Sequence, residues 1–203
     1  MGKKPSSPVS VPEVSMKWFW ILSGSVLLVA AAAVLFIRSG SYNVAANVPH
    51  WSTTYIVLEQ VRERSIMNHG KGIEVPALDG PDMLKAGVQV YHEACRLCHG
   101  APGYPSAPFA LGLYPSPPYF PSGHSQRKRT DGETFWVVKN GIKMTGMPAF
   151  GAGYEDGELW GTVIAFKRLP GMSRDQYDVI AVITEPGERS ADARPRRGFL
   201  DLN

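Results

Sequence analysis

The sequence predicts an all-α protein whose first helix crosses a membrane. Residues 18–37 are twenty consecutive residues without a charge, the length one helix needs to span a hydrocarbon layer at about 1.5 Å rise per residue. Leu84, Val88, Tyr91, Cys95 and Cys98 recur at four-three-four-three spacing, the period of a single helix face. Nothing near them alternates apolar and polar residues as a half-buried strand does. A chain of 203 residues allows one ordinary domain plus appendages. Its net charge of +3 is mild and speaks against a dedicated nucleic-acid surface. With 21 glycines and 17 prolines, sizeable stretches between helices must be irregular.

Trp18 and Trp20 begin the apolar run, where indole rings favour the headgroup layer. Lys3, Lys4 and Lys17 precede it, whereas Arg38 alone follows closely. The positive-inside bias then leaves residues 1–17 in the cytoplasm and makes residues 18–38 a transmembrane anchor, with the remainder exported. A cleaved signal peptide would have an apolar core of only about 7–15 residues with a small-residue cut site soon after. Here Ala31 to Ala33 lie inside the run, and Val44-Ala45-Ala46 stands well beyond it. The anchor is the favoured reading.

Residues 39–80 form a linker. Within it, 53–66 has the composition of an amphipathic helix, with Tyr55, Leu58 and Val61 on one side and Arg62, Glu63 and Arg64 elsewhere. Ser52 or Thr53 is positioned to cap it, and Gly70, Gly72 and Pro76 forbid continuation. Two roles fit this helix equally: docking against a partner subunit or the membrane surface, and a spacer packing on the following domain.

Pro81 opens the next helix in the favoured first-turn place, with Asp79 as a cap and Asp82 near the positive dipole end. It runs into Cys95-Arg96-Leu97-Cys98-His99. On a helical backbone both thiols and the imidazole reach one side. This is the arrangement by which thiols add to the vinyl groups of a haem while the histidine binds its iron. The chain has no other cysteine. A thioredoxin-like dithiol needs a βαβ setting, and a structural zinc site needs four Cys or His ligands. A disulfide across three residues would close too small a loop to stabilise much.

Residues 99–123 contain seven prolines, which no helix survives, and predict a rigid loop covering one edge of the cofactor. His124 and Arg127-Lys128-Arg129 read either as a positive patch that steers an acidic redox partner or as a solvated loop. A short helix follows over 132–139, capped by Asp131, with Phe135, Trp136 and Val138 inward. Then comes Gly146-Met147-Pro148. Pro148 biases Met147 toward extended backbone and Gly146 lets the chain bend, so a thioether can be aimed inward from a loop. Met147 is therefore the candidate sixth ligand; Met144 lacks that constraint. Histidines 50, 69, 92 and 124 are alternatives without supporting context. Residues 155–169 read as a closing helix with Leu159, Val163, Phe166 and Leu169 on its inner stripe, and Pro170-Gly171 ends it. A short helix over 173–183 and a loose, arginine-bearing tail complete residues 172–203.

Tyr91 to Gly100 and Asn140 to Gly151, with its Met-Pro-Ala-Phe-Gly run, resemble a class I (monohaem) cytochrome c. The resemblance covers about half of the chain, roughly residues 81–171. It implies the all-α class I cytochrome c fold, one haem c held by thioethers to Cys95 and Cys98, and His99 and Met147 as axial ligands. It also implies that a loop proline offers its carbonyl to the free N–H of His99, with Pro118 the nearest equivalent, and that Val163 and Phe166 are the mates of Gly87 and Tyr91. Electron transfer without chemistry on a substrate is the expected activity, so the chain is not an enzyme itself. The expected partners are a redox donor and acceptor protein and the membrane, with no nucleic acid. Its expected place is the bacterial inner membrane, haem domain on the periplasmic side. A free shuttle and a subunit fixed in a respiratory or photosynthetic membrane complex both remain open, as does a subunit that delivers electrons from a periplasmic dehydrogenase. A haem enzyme or gas sensor with an open distal site is the competing class; Met147-Pro148 argues against it.

Overall fold

The computed structural model describes residues 16–78, 80–124 and 129–182. Two compact units divide the chain, residues 1–45 and 46–203. Among the described residues there is no β-strand, only an isolated bridge between Ala101 and Tyr104. The architecture is all-α.

The first unit is helix α1, Met16–Ser39, and the residues flanking it. Its 24 residues extend the uncharged run at both ends and give a rod of about 36 Å, against a hydrocarbon core of about 30 Å. None of its residues is buried. The Ser25 hydroxyl donates to the Ile21 carbonyl at 2.8 Å, so its polar hydrogen is satisfied within the helix, as lipid requires. Among the described residues, α1 is the one helix long and apolar enough to cross a membrane.

In the second unit come α2 (Ser52–Gly70), α3 (Pro81–Val90), a π-helical turn (Tyr91–Cys95), α4 (Arg96–His99), α5 (Asp131–Asn140), α6 (Asp156–Arg168) and α7 (Arg174–Val182). The proline-rich stretch forms only two short 3-10 turns, Pro108–Gly112 and Phe120–Ser122. Helix α2 outruns its predicted span and seats differently from its predicted stripe. Tyr55, Leu58 and Val61 are exposed, and only Ile66 and Gly70 are buried. Its last turn packs on α5, because Gly70 and Gly132 leave room: a Cβ on Gly70 would lie 2.6 Å from Glu133 Cα. Arg129 adds a two-pronged bond to Glu63, at 2.8 and 3.1 Å. Arg127 and Lys128 of the predicted basic patch, and the arginines of the tail, lie outside the described residues.

The caps also differ. Trp51, not Ser52 or Thr53, precedes α2, with no side-chain cap. Gly80 precedes α3, and Asp79 lies outside the described residues. Helix α5 is capped by Thr130, not Asp131. The Glu133 N–H donates to Thr130 Oγ1 at 3.2 Å and the Thr130 N–H to Glu133 Oε2 at 2.9 Å, a reciprocal pair.

Helices α3 and α6 cross backbone against backbone. A Cβ on Gly87 would run into the Gly161 carbonyl and lie 2.6 Å from the Thr162 nitrogen, and one on Gly161 would lie 3.1 Å from Gly87 Cα. The mate of Gly87 is therefore Gly161, not Val163. Every residue from Leu159 to Ala165 is buried, so the middle of α6 is enclosed on all sides instead of presenting one stripe. It lies between two apolar clusters. Phe135, Leu159, Trp160 and Val163 form one, with Phe135 and Trp160 stacked at 4.1 Å. Val88, Tyr91, Cys95, Ala101, Ala165, Leu169 and Tyr177 form the other.

Two glycines of α6 should therefore respond oppositely to alanine. Gly161→Ala overpacks the crossing and is expected to cost about 1–3 kcal/mol. Gly157→Ala, with nothing within 4 Å of the added carbon, should gain about 0.5–1 kcal/mol from helix propensity. Urea midpoints of the two purified variants check this; midpoints shifted in the same direction would contradict the crossing.

Candidate functional site

The thiols and His99 sit at the end of one continuous helical run from α3 through α4. Within it the Arg96 N–H bonds to the Tyr91 carbonyl, five residues back, so one extra residue enters the turn. Such bulges recur at functional sites because they re-aim the residues that follow. Gly100 ends the run at φ +69°, and a Cβ there would strike the Tyr119 ring. The Gly100 carbonyl accepts from the Tyr91 hydroxyl at 2.7 Å. Burial pushes the Tyr91 pKa upward, so that donor stays protonated.

Cys95 is buried and Cys98 half-buried, and neither is in a disulfide. Burial, aided by the neighbouring Cys98, pushes the Cys95 thiol up to about 12, and burial also raises Cys98. Dithiol redox catalysis needs the opposite shift. Among the described residues no group of three or more His, Cys, Asp or Glu is placed to hold a metal ion, so a zinc site has no support. These are neutral thiols beside an apolar core.

His99 is only 9% exposed. Its Nδ1 lies 2.9 Å from the Pro118 carbonyl oxygen. A carbonyl can only accept, so Nδ1 carries the proton and Nε2 holds the lone pair. Burial lowers the His99 pKa, with the Pro118 bond pulling the other way, and the ring is kept neutral and able to donate that lone pair. Phe120 stacks on the imidazole at 4.2 Å and 5° between planes. Phe166 of α6 meets Phe120 edge-on at 4.5 Å. Phe166 thus serves the ring behind His99, where the sequence pairs it with Tyr91.

Met147 lies on a second segment, between α5 and α6, that folds back on itself. The Ile142 N–H donates to the Met147 carbonyl at 3.2 Å, Thr145 Oγ1 to the Ile142 carbonyl at 2.8 Å, and the Met147 N–H to Thr145 Oγ1 at 3.1 Å. Gly141, at φ +66°, makes the fold-back possible: a Cβ there would lie 2.6 Å from the Pro148 carbonyl. Met147 is half-buried, whereas Met144 is 78% exposed and sits at φ +59°. A Cβ on Gly146 would come within 2.9 Å of Leu113, so this segment touches the proline-rich loop.

The rival histidines are engaged elsewhere or lie at the surface. His92 Nδ1 is 3.1 Å from the Tyr177 hydroxyl, His69 stacks on Trp136, His50 packs edge-on to Tyr114, and His124 is exposed. Two neutral thiols and a neutral imidazole with a fixed tautomer on one helical segment are a donor set that fits a haem. The stacking of Phe120 on His99, and the support that Thr145 and Gly141 give the Met147 segment, are not part of the sequence reading. An aromatic two residues after Pro118, and a hydroxyl two before Met147, were the available signals.

Residues 82–164 match the family described as Cytochrome C oxidase, cbb3-type, subunit III. The match runs from α3 into α6 and takes in Cys95, Cys98, His99, Pro118 and Met147. No curated protein and no solved structure matches the chain.

Gly141→Ala forces a side chain into left-handed backbone and its methyl against the Pro148 carbonyl. The expected loss is about 1–3 kcal/mol, read as a lower urea midpoint with unchanged slope. Gly112→Ala, at an open position, should stay within about 0.5 kcal/mol of the parent. Equal midpoints for the two variants would contradict the fold-back.

Proposed function

We propose that residues 82–164, which match a cytochrome c oxidase subunit family, form a class I c-type cytochrome domain, and that this chain is a membrane-anchored single-haem electron carrier. Cys95 and Cys98 hold one haem c through thioethers, His99 Nε2 is the proximal ligand and the Met147 sulfur the distal one. The haem supplies a one-electron iron couple. The observation that carries the reading is the bond between His99 Nδ1 and the Pro118 carbonyl, which leaves the opposite nitrogen as a donor directly beside the two thiols.

The protein's part is to hold and orient. The Pro118 carbonyl fixes the imidazole tautomer and strengthens its donor nitrogen, and Phe120 keeps the ring plane. Thr145 and Gly141 hold the Met147 segment in its fold-back. A thioether and an imidazole together favour ferrous iron relative to two imidazoles, which raises the potential. The division proposed with it places residues 1–17 in the cytoplasm, 18–38 in the bacterial inner membrane, 39–80 as a linker and 81–171 as the haem domain on the periplasmic side, with 172–203 beyond it. Redox proteins are the donor and acceptor. The matched family is described as an oxidase subunit, which favours a place inside a membrane oxidase complex over a free shuttle.

Exchange of ligands tests this. Cys95→Ser or Cys98→Ser should leave a single thioether and much less holoprotein. Met147→His should lower the midpoint potential on the order of 0.1 V, within the range of about 0.8 V that axial ligands span, while Met144→His should barely move it. Potentiometric titration decides: a large shift for Met144→His and none for Met147→His would assign the wrong sulfur. Ready binding of carbon monoxide by the reduced parent protein would favour an open distal site instead.

A further inference from the structure

We propose that the first half of α2 lies in the membrane–water interface, giving the exported domain a lipid contact of its own. The inference rests on α1 being the membrane anchor proposed above. Tyr55, Val57, Leu58 and Val61 are 46, 60, 36 and 61% exposed, whereas the same helix buries Ile66 and Gly70 against the domain. At about 100° per residue these four fall on one arc of roughly 160°. Ile56 lies off that arc. Thr54 falls within the arc and Arg62 at its Tyr55 edge, so the face is mainly apolar with one hydroxyl and one basic group, and an exposed apolar cluster of this kind on a helix marks a contact face.

The chain itself indicates what covers the face. Helix α1 ends at Ser39 and α2 starts at Ser52. The stretch from Ser39 to Ser52 reaches at most about 47 Å when fully extended. An apolar helix tethered that closely to a bilayer meets lipid without recruiting another component. The polar residues are arranged for it. Glu59 and Glu63 lie off the arc, and Arg62 is drawn to both, at 2.6 and 3.0 Å, while Arg129 also pairs with Glu63. Both carboxylates of α2 are thereby paired, which lessens their repulsion of anionic headgroups. Arg64 borders Val57 and Val61 on the helix wheel, where its stem can lie along the apolar face and its guanidinium reach a phosphate. Trp51 and Tyr55, both exposed, are residue types that favour the headgroup layer.

The test uses the full-length holoprotein in vesicles of phosphatidylethanolamine and phosphatidylglycerol. Nitroxide labels are placed singly at V57C, V61C, Q60C and, within α1, V29C, and collisions with oxygen and with a water-soluble nickel chelate are measured. Labels at 57 and 61 should resemble 29, with oxygen collisions favoured severalfold over nickel, and 60 should show the reverse. Labels at 57 and 61 as open to nickel as 60, with 29 lipid-exposed, would overturn the interfacial helix and leave the anchor standing. A label at 29 open to nickel would overturn the anchor and this inference together.

Discussion

Two glycines without side chains, Gly87 and Gly161, let α3 and α6 touch backbone to backbone, and the site depends on that contact. Helix α3 leads directly into the turn bearing Cys95, Cys98 and His99. Helix α6 carries Phe166, one turn and a half beyond Gly161. Phe166 meets Phe120 edge-on, Phe120 stacks on His99, and the loop bearing Phe120 delivers the Pro118 carbonyl to His99 Nδ1. A crossing held apart by one methyl group would move the support of the imidazole relative to the imidazole itself. Interiors packed to crystal density transmit such a shift and do not absorb it.

The opposite side of α6 does a different task. Phe135 and Trp160 stack there, and α5 is fixed by the Thr130–Glu133 cap. Helix α5 is what the Met147 segment departs from. So the central helix bears on both segments that carry the candidate ligands, the imidazole through Phe166 and the methionine segment through α5. This explains why the middle of α6 is buried all round: it is the wall shared by two clusters, and a one-sided stripe would serve only one of them.

Much of this could be read from residue types and spacing. Helix existence followed from period and from breakers, and the motif at residues 95–99 stood out because its cysteines have no competitors. What escaped depends on three-dimensional approach. Nothing local says that Gly87 meets Gly161 and not Val163, since both lie on faces that α6 buries. The cap of α5 was placed one residue late because Thr130 and Asp131 are both good cap residues, and only the reciprocal bond with Glu133 separates them. Whether α2 packs on the domain was open from its apolar stripe, and its seating is decided by Gly70 and Gly132, where missing side chains admit a neighbour. The π-helical turn after Val90 leaves no mark in the periodicity, because Tyr91, Cys95 and Cys98 keep ordinary helical spacing.

The central proposal is that Cys95, Cys98 and His99, whose Nδ1 proton is fixed on the Pro118 carbonyl, attach and ligate one haem. The most direct measurement is the intact mass of the purified chain from cells competent in cytochrome maturation, taken after acid–acetone extraction. The account predicts the polypeptide plus one haem. A mass equal to the polypeptide alone, from a colourless product, would contradict it.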